Sequence, residues 1–156
     1  MKRWENIIIR GQQAYSEKAY SEAITFNRFA LSISEMEFEE NFDGEDPNKA
    51  VTAILVSYVN MIDAYIAIEN YMAAVSSFEH AIAFIKVTIA TAEKNHSQIK
   101  AVNNGMRYLT REWKTFIQQL APYDNKTLPP TVIVLIEIID DHIGRLYTLP
   151  PTLTLH

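Results

Sequence analysis

The chain has no cysteine in 156 residues, which excludes a disulfide, a thiolate metal site and a cysteine nucleophile. Glycine and proline are scarce, at 4 and 6 residues. The prolines, Pro47, Pro122, Pro129, Pro130, Pro150 and Pro151, stand between periodic segments and never inside them. That punctuation predicts helices. A glycine-rich phosphate loop, a Gly-x-Ser-x-Gly turn and a Ser/His/Asp set at recognisable spacing are all missing, so no enzyme is expected and no cofactor. An uninterrupted apolar run long enough for a bilayer is also missing. The stretch over residues 50–68 carries Thr52, Ser57, Asn60 and Asp63, and a central aspartate is costly in lipid. Near the start, Glu5, Asn6 and Arg10 break the apolar run of Ile7, Ile8 and Ile9 before it reaches signal-peptide length, and the expected location is the cytoplasm.

What is present fits one soluble domain. Hydrophobic residues make up 48% and charged residues 21% of the chain, enough to build one core. A net charge of -5 argues against bulk attraction to nucleic acid or an anionic membrane. Hydrophobic periodicity places helices over residues 2–16, 20–38, 48–69, 71–94, 97–120 and 130–146. Asp46-Pro47 supplies an N-cap carboxylate and a first-turn proline for the third. Asn70 alone separates the third and fourth, which makes them antiparallel neighbours. Ser97 is the expected cap of the fifth. The sixth contains the β-branched run from Val132 to Ile136, for which a buried strand is the alternative. Residues 147–156 are read as an extended or disordered tail.

Within the middle pair, Tyr58-x2-Met61-Ile62-x2-Tyr65 is followed by Ala74-x3-Phe78-x2-Ala81. This spacing resembles the tetratricopeptide repeat, a helical hairpin with a small residue and an aromatic at those places in its second helix. Partial copies flank it. Tyr20-x2-Ala23-Ile24 and Ala30-Leu31 resemble a second-helix half, with Asn27 where an aromatic is usual, and Ala101-x2-Asn104-Gly105-x2-Tyr108 resembles a first-helix half. Aligning Tyr15, Tyr65 and Tyr108 gives separations of 50 and 43 residues, longer than the family's period of about 34. On that alignment the first turn is one residue shorter than the second. The resemblance implies an all-α fold of about six helices, three stacked antiparallel hairpins in a right-handed superhelix spanning residues 1–146. It also implies non-enzymatic binding of a protein or peptide in a groove lined by the first helix of each hairpin. The residues so assigned are Ile9 and Gln13, then Val56, Val59, Asn60 and Asp63, then Ile99, Val102, Asn103 and Met106. Ile9 and Val102 stand where members that clamp a terminal carboxylate need cations, so that mode is not expected.

Three other clusters are candidate sites. Glu35, Glu37, Glu39, Glu40, Asp43, Glu45 and Asp46 form an acidic run without a base, read as a solvated helix end and loop, with docking of a basic partner as the alternative. Arg107, Arg111 and Lys114 fall on one helical face, read as exposed surface charge without a nucleic-acid motif beside it. Glu137, Asp140, Asp141 and His142 lack the paired Glu-x-x-His spacing of a di-metal bundle. The alternative functional classes are a homodimeric regulator using the apolar central helices and, less favoured, a metal-dependent bundle enzyme.

Overall fold

A computed structural model describes residues 2–91, 94–120 and 128–146. Among them the chain forms six helices and no strand: α1 (Lys2–Ser16), α2 (Tyr20–Phe42), α3 (Pro47–Ala67), α4 (Tyr71–Ala90), α5 (His96–Leu120) and α6 (Pro130–Arg145). The expected loop with Pro122 and the tail over 147–156 lie outside the described residues.

Local chemistry accounts for the starts of α3, α4 and α5. Asp46 accepts from Lys49 N at 3.0 Å and Asn70 accepts from Ala73 N at 3.2 Å, each filling an otherwise orphaned donor. Pro47 sits in the first turn of α3, where its missing N–H costs nothing. α5 is capped by Asn95, not Ser97. Asn95 Oδ1 accepts from Gln98 N at 2.8 Å while Gln98 Oε1 accepts from Asn95 N at 3.0 Å, a reciprocal capping box. Only Asn95 has a glutamine three residues on to return the bond.

α2 extends to Phe42, past the expected end at residue 38. Phe42 stacks on Phe38 at 5.0 Å, and its carbonyl accepts from Gln98 Nε2 of α5 at 2.9 Å. Burial of Phe42 and that long-range bond hold an acidic end that its own charges oppose.

The β-branched run is helical. Val132, Ile139 and Ile143 are buried on one side of α6 while Val134 and Ile138 are exposed, so helical periodicity decides which members of the run face the fold.

α2 packs between α1 and α3, and α4 packs against α3, α5 and α6. α1 touches α3, and α3 touches α5. α6 makes its main backbone approach to α4, and it meets α5 where Trp113 Nε1 donates to Asp140 Oδ1 at 3.0 Å. Phe78 of α4 lies edge-on to Trp113 at 5.0 Å and tilted against Phe116 at 5.3 Å. All three rings are at most 2% exposed, each burial being worth roughly 1.5–3 kcal/mol or more. α3 and α4 are long and apolar enough to cross a membrane by length and composition. Half or more of the most apolar 18-residue stretch of each, 61% and 50%, is buried inside this fold, as packing of an apolar helix on several sides requires.

Candidate functional site

The first two hairpins turn in the same way. Lys18 and Glu69 both take left-handed backbone, φ 61° and 59°. Ala19 N donates to Ala14 O and Lys18 N to Tyr15 O, as Asn70 N does to Tyr65 O and Glu69 N to Ile66 O. These are two copies of one Schellman turn. They set the alignment of the hairpins at an offset of 51 residues, which pairs Gly11, Ala14, Ala23, Asn27 and Ala30 with Ile62, Tyr65, Ala74, Phe78 and Ala81. The expected one-residue difference between the turns is therefore corrected: Ala14, not Tyr15, is the counterpart of Tyr65. Tyrosine identity misled the alignment, whereas backbone hydrogen bonding resolves it.

Two aromatics of the middle hairpin thus correspond to Ala14 and Asn27 in the first. Where Phe78 fills space, the smaller Asn27 leaves a hollow of about 230 Å³ lined by Gly11, Gln12, Tyr15, Ser16, Asn27, Asn60 and Asp63. Gly11 lets α2 come close: a Cβ there would lie 2.8 Å from Asn27 Nδ2. Asn27 is 1% exposed. Its Nδ2 donates to Ala23 O at 2.8 Å, which fixes the amide orientation, because a carbonyl must face a donor. Asn27 Oδ1 is left without a partner, as is Asn60 Nδ2. An unmet acceptor and an unmet donor therefore line one hollow.

Asp63 lines this hollow and also a narrow crevice of about 20 Å³ between α3 and α5, with Glu112, Thr115 and Gln119. Asp63 is exposed at the surface, while protein atoms nearby partly desolvate its carboxyl. Desolvation, then repulsion from Glu112, pushes its carboxyl up to about 6. Tyr108 is raised by burial, then by Glu112 and Asp63. Tyr15 is raised by burial, then by Asp63 and Tyr20. No cation pairs with Asp63 among the described residues, and Glu112 is the second carboxylate of the crevice.

Of the residues assigned from sequence, Asn60 and Asp63 meet in the larger hollow, and Val59 joins Asp63 in the crevice. Val59, Val102 and Met106 are buried, so their side chains mainly pack, and Val56 and Ile99 are half-buried. Asn103 is exposed. Ile9 is 59% exposed, and Gln13 donates to Glu17 at 3.2 Å; neither lines the hollow. Sequence reasoning missed Gly11, Gln12, Tyr15, Ser16 and Glu112 as lining residues. The one available signal was Asn27 at an aromatic position.

No protein-family model, curated protein or solved structure matches this chain. What the site can do rests on its own geometry.

The other clusters have structural partners. Asp46 caps α3, and Asp43 accepts from Gln98 Nε2 at 3.2 Å. Asp140 holds the Trp113 indole, and Asp141 pairs with Arg145 at 3.0 Å. Among the described residues, no three His, Asp or Glu side chains gather closely enough for a metal ion. Arg107, Arg111 and Lys114 border a shallow depression on α5 with Thr110, Thr115 and Gln118, and Arg107 donates to Asn104 at 2.6 Å.

Proposed function

We propose that this chain is a non-enzymatic binding module of tetratricopeptide-like construction, capturing a protein or peptide segment along the face formed by α1, α3 and α5. The observation that carries this reading is the Asn60 amide, whose Nδ2 is buried without an acceptor beside a hollow between the first helices of two hairpins. Leaving such a donor unpaired costs about 1–3 kcal/mol, and a carbonyl from an extended or helical partner segment would relieve that cost. Asn103, exposed on α5, offers a second amide further along the same face.

The test is affinity capture from cell extract followed by mass spectrometry, comparing the wild-type chain with the Asn60→Ala/Asn103→Ala variant. The two proteins should have the same circular dichroism spectrum, and the partner recovered by the wild type should be depleted with the double variant. Capture at full strength by the folded variant rejects the groove.

A second reading, a self-associating scaffold, draws on exposed apolar side chains: Phe29 and Met36 on α2 at 51% and 80%, and Val134 and Ile138 on α6 at 52% and 41%. Light scattering decides it, since a monomeric mass across the micromolar range rules out a stable dimer.

A further inference from the structure

We infer that the hollow at Asn27, Asn60 and Asp63 is a pocket for one lysine side chain of the segment bound along the α1, α3 and α5 face. This rests on the binding-module reading and deepens it by assigning the chemistry of one contact.

Asn27 is 1% exposed and Oδ1 has no donor, although its Nδ2 is satisfied by Ala23 O. That orientation is set from behind, so the unmet oxygen belongs to a buried residue of the hollow's lining. Replacing an aromatic by an asparagine with one unmet oxygen is costly unless something donates to it. Asp63 belongs to the same lining without a cation, sharing the hollow with Tyr15 of α1 and the crevice with Glu112 of α5, while its charge also bears on Tyr108.

An ammonium group brings three donors and one positive charge. Asn27, Asp63 and Tyr15, residues of one lining, each carry an acceptor oxygen, and the charge would offset the repulsion between Asp63 and Glu112. Asn60 Nδ2 is then left to donate to a backbone carbonyl of the same segment. A carboxamide would match the two asparagines but leave the carboxylates unneutralised. A guanidinium carries five donors in a rigid planar fork whose geometry the lining would have to match, whereas an ammonium on a flexible stem can turn its three donors to the acceptors present. About 230 Å³ accommodates a butylammonium chain with its head against Asn27. The glycine at position 11 keeps this space, because a side chain there would press on the Asn27 amide.

The test is a titration of the full chain with N-acetyl-lysine N-methylamide, followed by NMR of the Asn27 and Asn60 side-chain amides and the Gly11 backbone amide. The norleucine and glutamine analogues are the comparisons. The lysine probe should give saturable shifts at all three positions with millimolar affinity, and norleucine at least about fivefold weaker binding. Asp63→Asn keeps the shape and should lower the lysine affinity about tenfold. Asn27→Leu should abolish the shifts, with the Trp113 indole signal reporting that the core remains folded.

Equal or tighter binding of the glutamine analogue would reassign the hollow to a carboxamide. Equal binding of norleucine would make it an apolar slot. An absence of saturable shifts by about 10 mM would leave it to solvent and end the proposal. Loss of capture by the Asn60/Asn103 variant without lysine binding rejects this pocket alone. Lysine binding with capture unaffected rejects the extended groove and leaves the pocket.

Discussion

Asn27 and Phe78 occupy the same place in successive hairpins, yet Phe78 is clasped by Trp113 and Phe116 while the Asn27 amide looks into a hollow. One position therefore carries packing in the second hairpin and an open polar wall in the first. The neighbouring Gly11 matters for the same reason. Without a Cβ, α1 passes close to the asparagine.

The glycines separate by what surrounds them. A Cβ at Gly105 would meet Val51 at 2.8 Å, Leu55 at 3.1 Å and Ile85 at 3.2 Å, whereas one at Gly144 would meet nothing within 4 Å. Gly105→Ala should cost about 1–3 kcal/mol through overpacking, partly offset by helix propensity, and Gly144→Ala should gain about 0.5–1 kcal/mol. Urea denaturation of the two variants checks the opposite signs, and a stabilised Gly105→Ala would refute the close approach of α5 to α3 and α4.

Both hairpin turns place a non-glycine residue in left-handed backbone, Lys18 and Glu69. Glycine removes that strain, less its own entropy in the unfolded chain, so Lys18→Gly and Glu69→Gly should each stabilise by about 0.5–1 kcal/mol. Thermal melts should rise for both. A rise for one and a fall for the other contradicts the equivalence of the turns.

The start of α5 tests the reciprocal cap. Asn95→Ala removes the acceptor for Gln98 N and should cost about 1 kcal/mol, while Ser97→Ala should change stability by a few tenths at most. Equal losses in denaturation midpoint would return the cap to Ser97.

Asp63 makes stability depend on pH in an uncommon direction for a carboxylate. Its folded value, about 6, lies above the ordinary 3.8, so the folded chain holds the proton more tightly than the unfolded chain. Its stabilising contribution is fully present below pH 3.8 and is lost as pH rises through about 6. Asp63→Asn should therefore raise the melting temperature at pH 7.5 and change it little at pH 3.5. The gain is smaller than the full linkage value because water reaches the groove. A variant that melts lower at pH 7.5 would place the Asp63 carboxylate in a favourable, paired setting.

Helix identity was legible in the sequence wherever its cause is local. The prolines mark the gaps, Asp46-Pro47 and Asn70 announce two starts, and alternating small and aromatic residues at Ala74, Phe78 and Ala81 reveal a tight helix pair. These signals lie within a turn or two of the backbone they control. The site was legible only in part. Asn60 and Asp63 stand out as polar residues on an apolar helix, whereas Glu112 meets Asp63 from a helix more than forty residues away.

The sequence by itself determined an all-helical chain, most helix ends and an antiparallel middle hairpin, because periodicity and capping act over a few residues. Tertiary structure decided that the run after Val132 is helix, that α2 reaches Phe42 and that Ala14 rather than Tyr15 matches Tyr65. Those outcomes depend on burial and hydrogen bonds between distant segments. It also turned the asparagine at position 27 from an imperfect repeat residue into the wall of a hollow, since space between three helices exists only once they are packed.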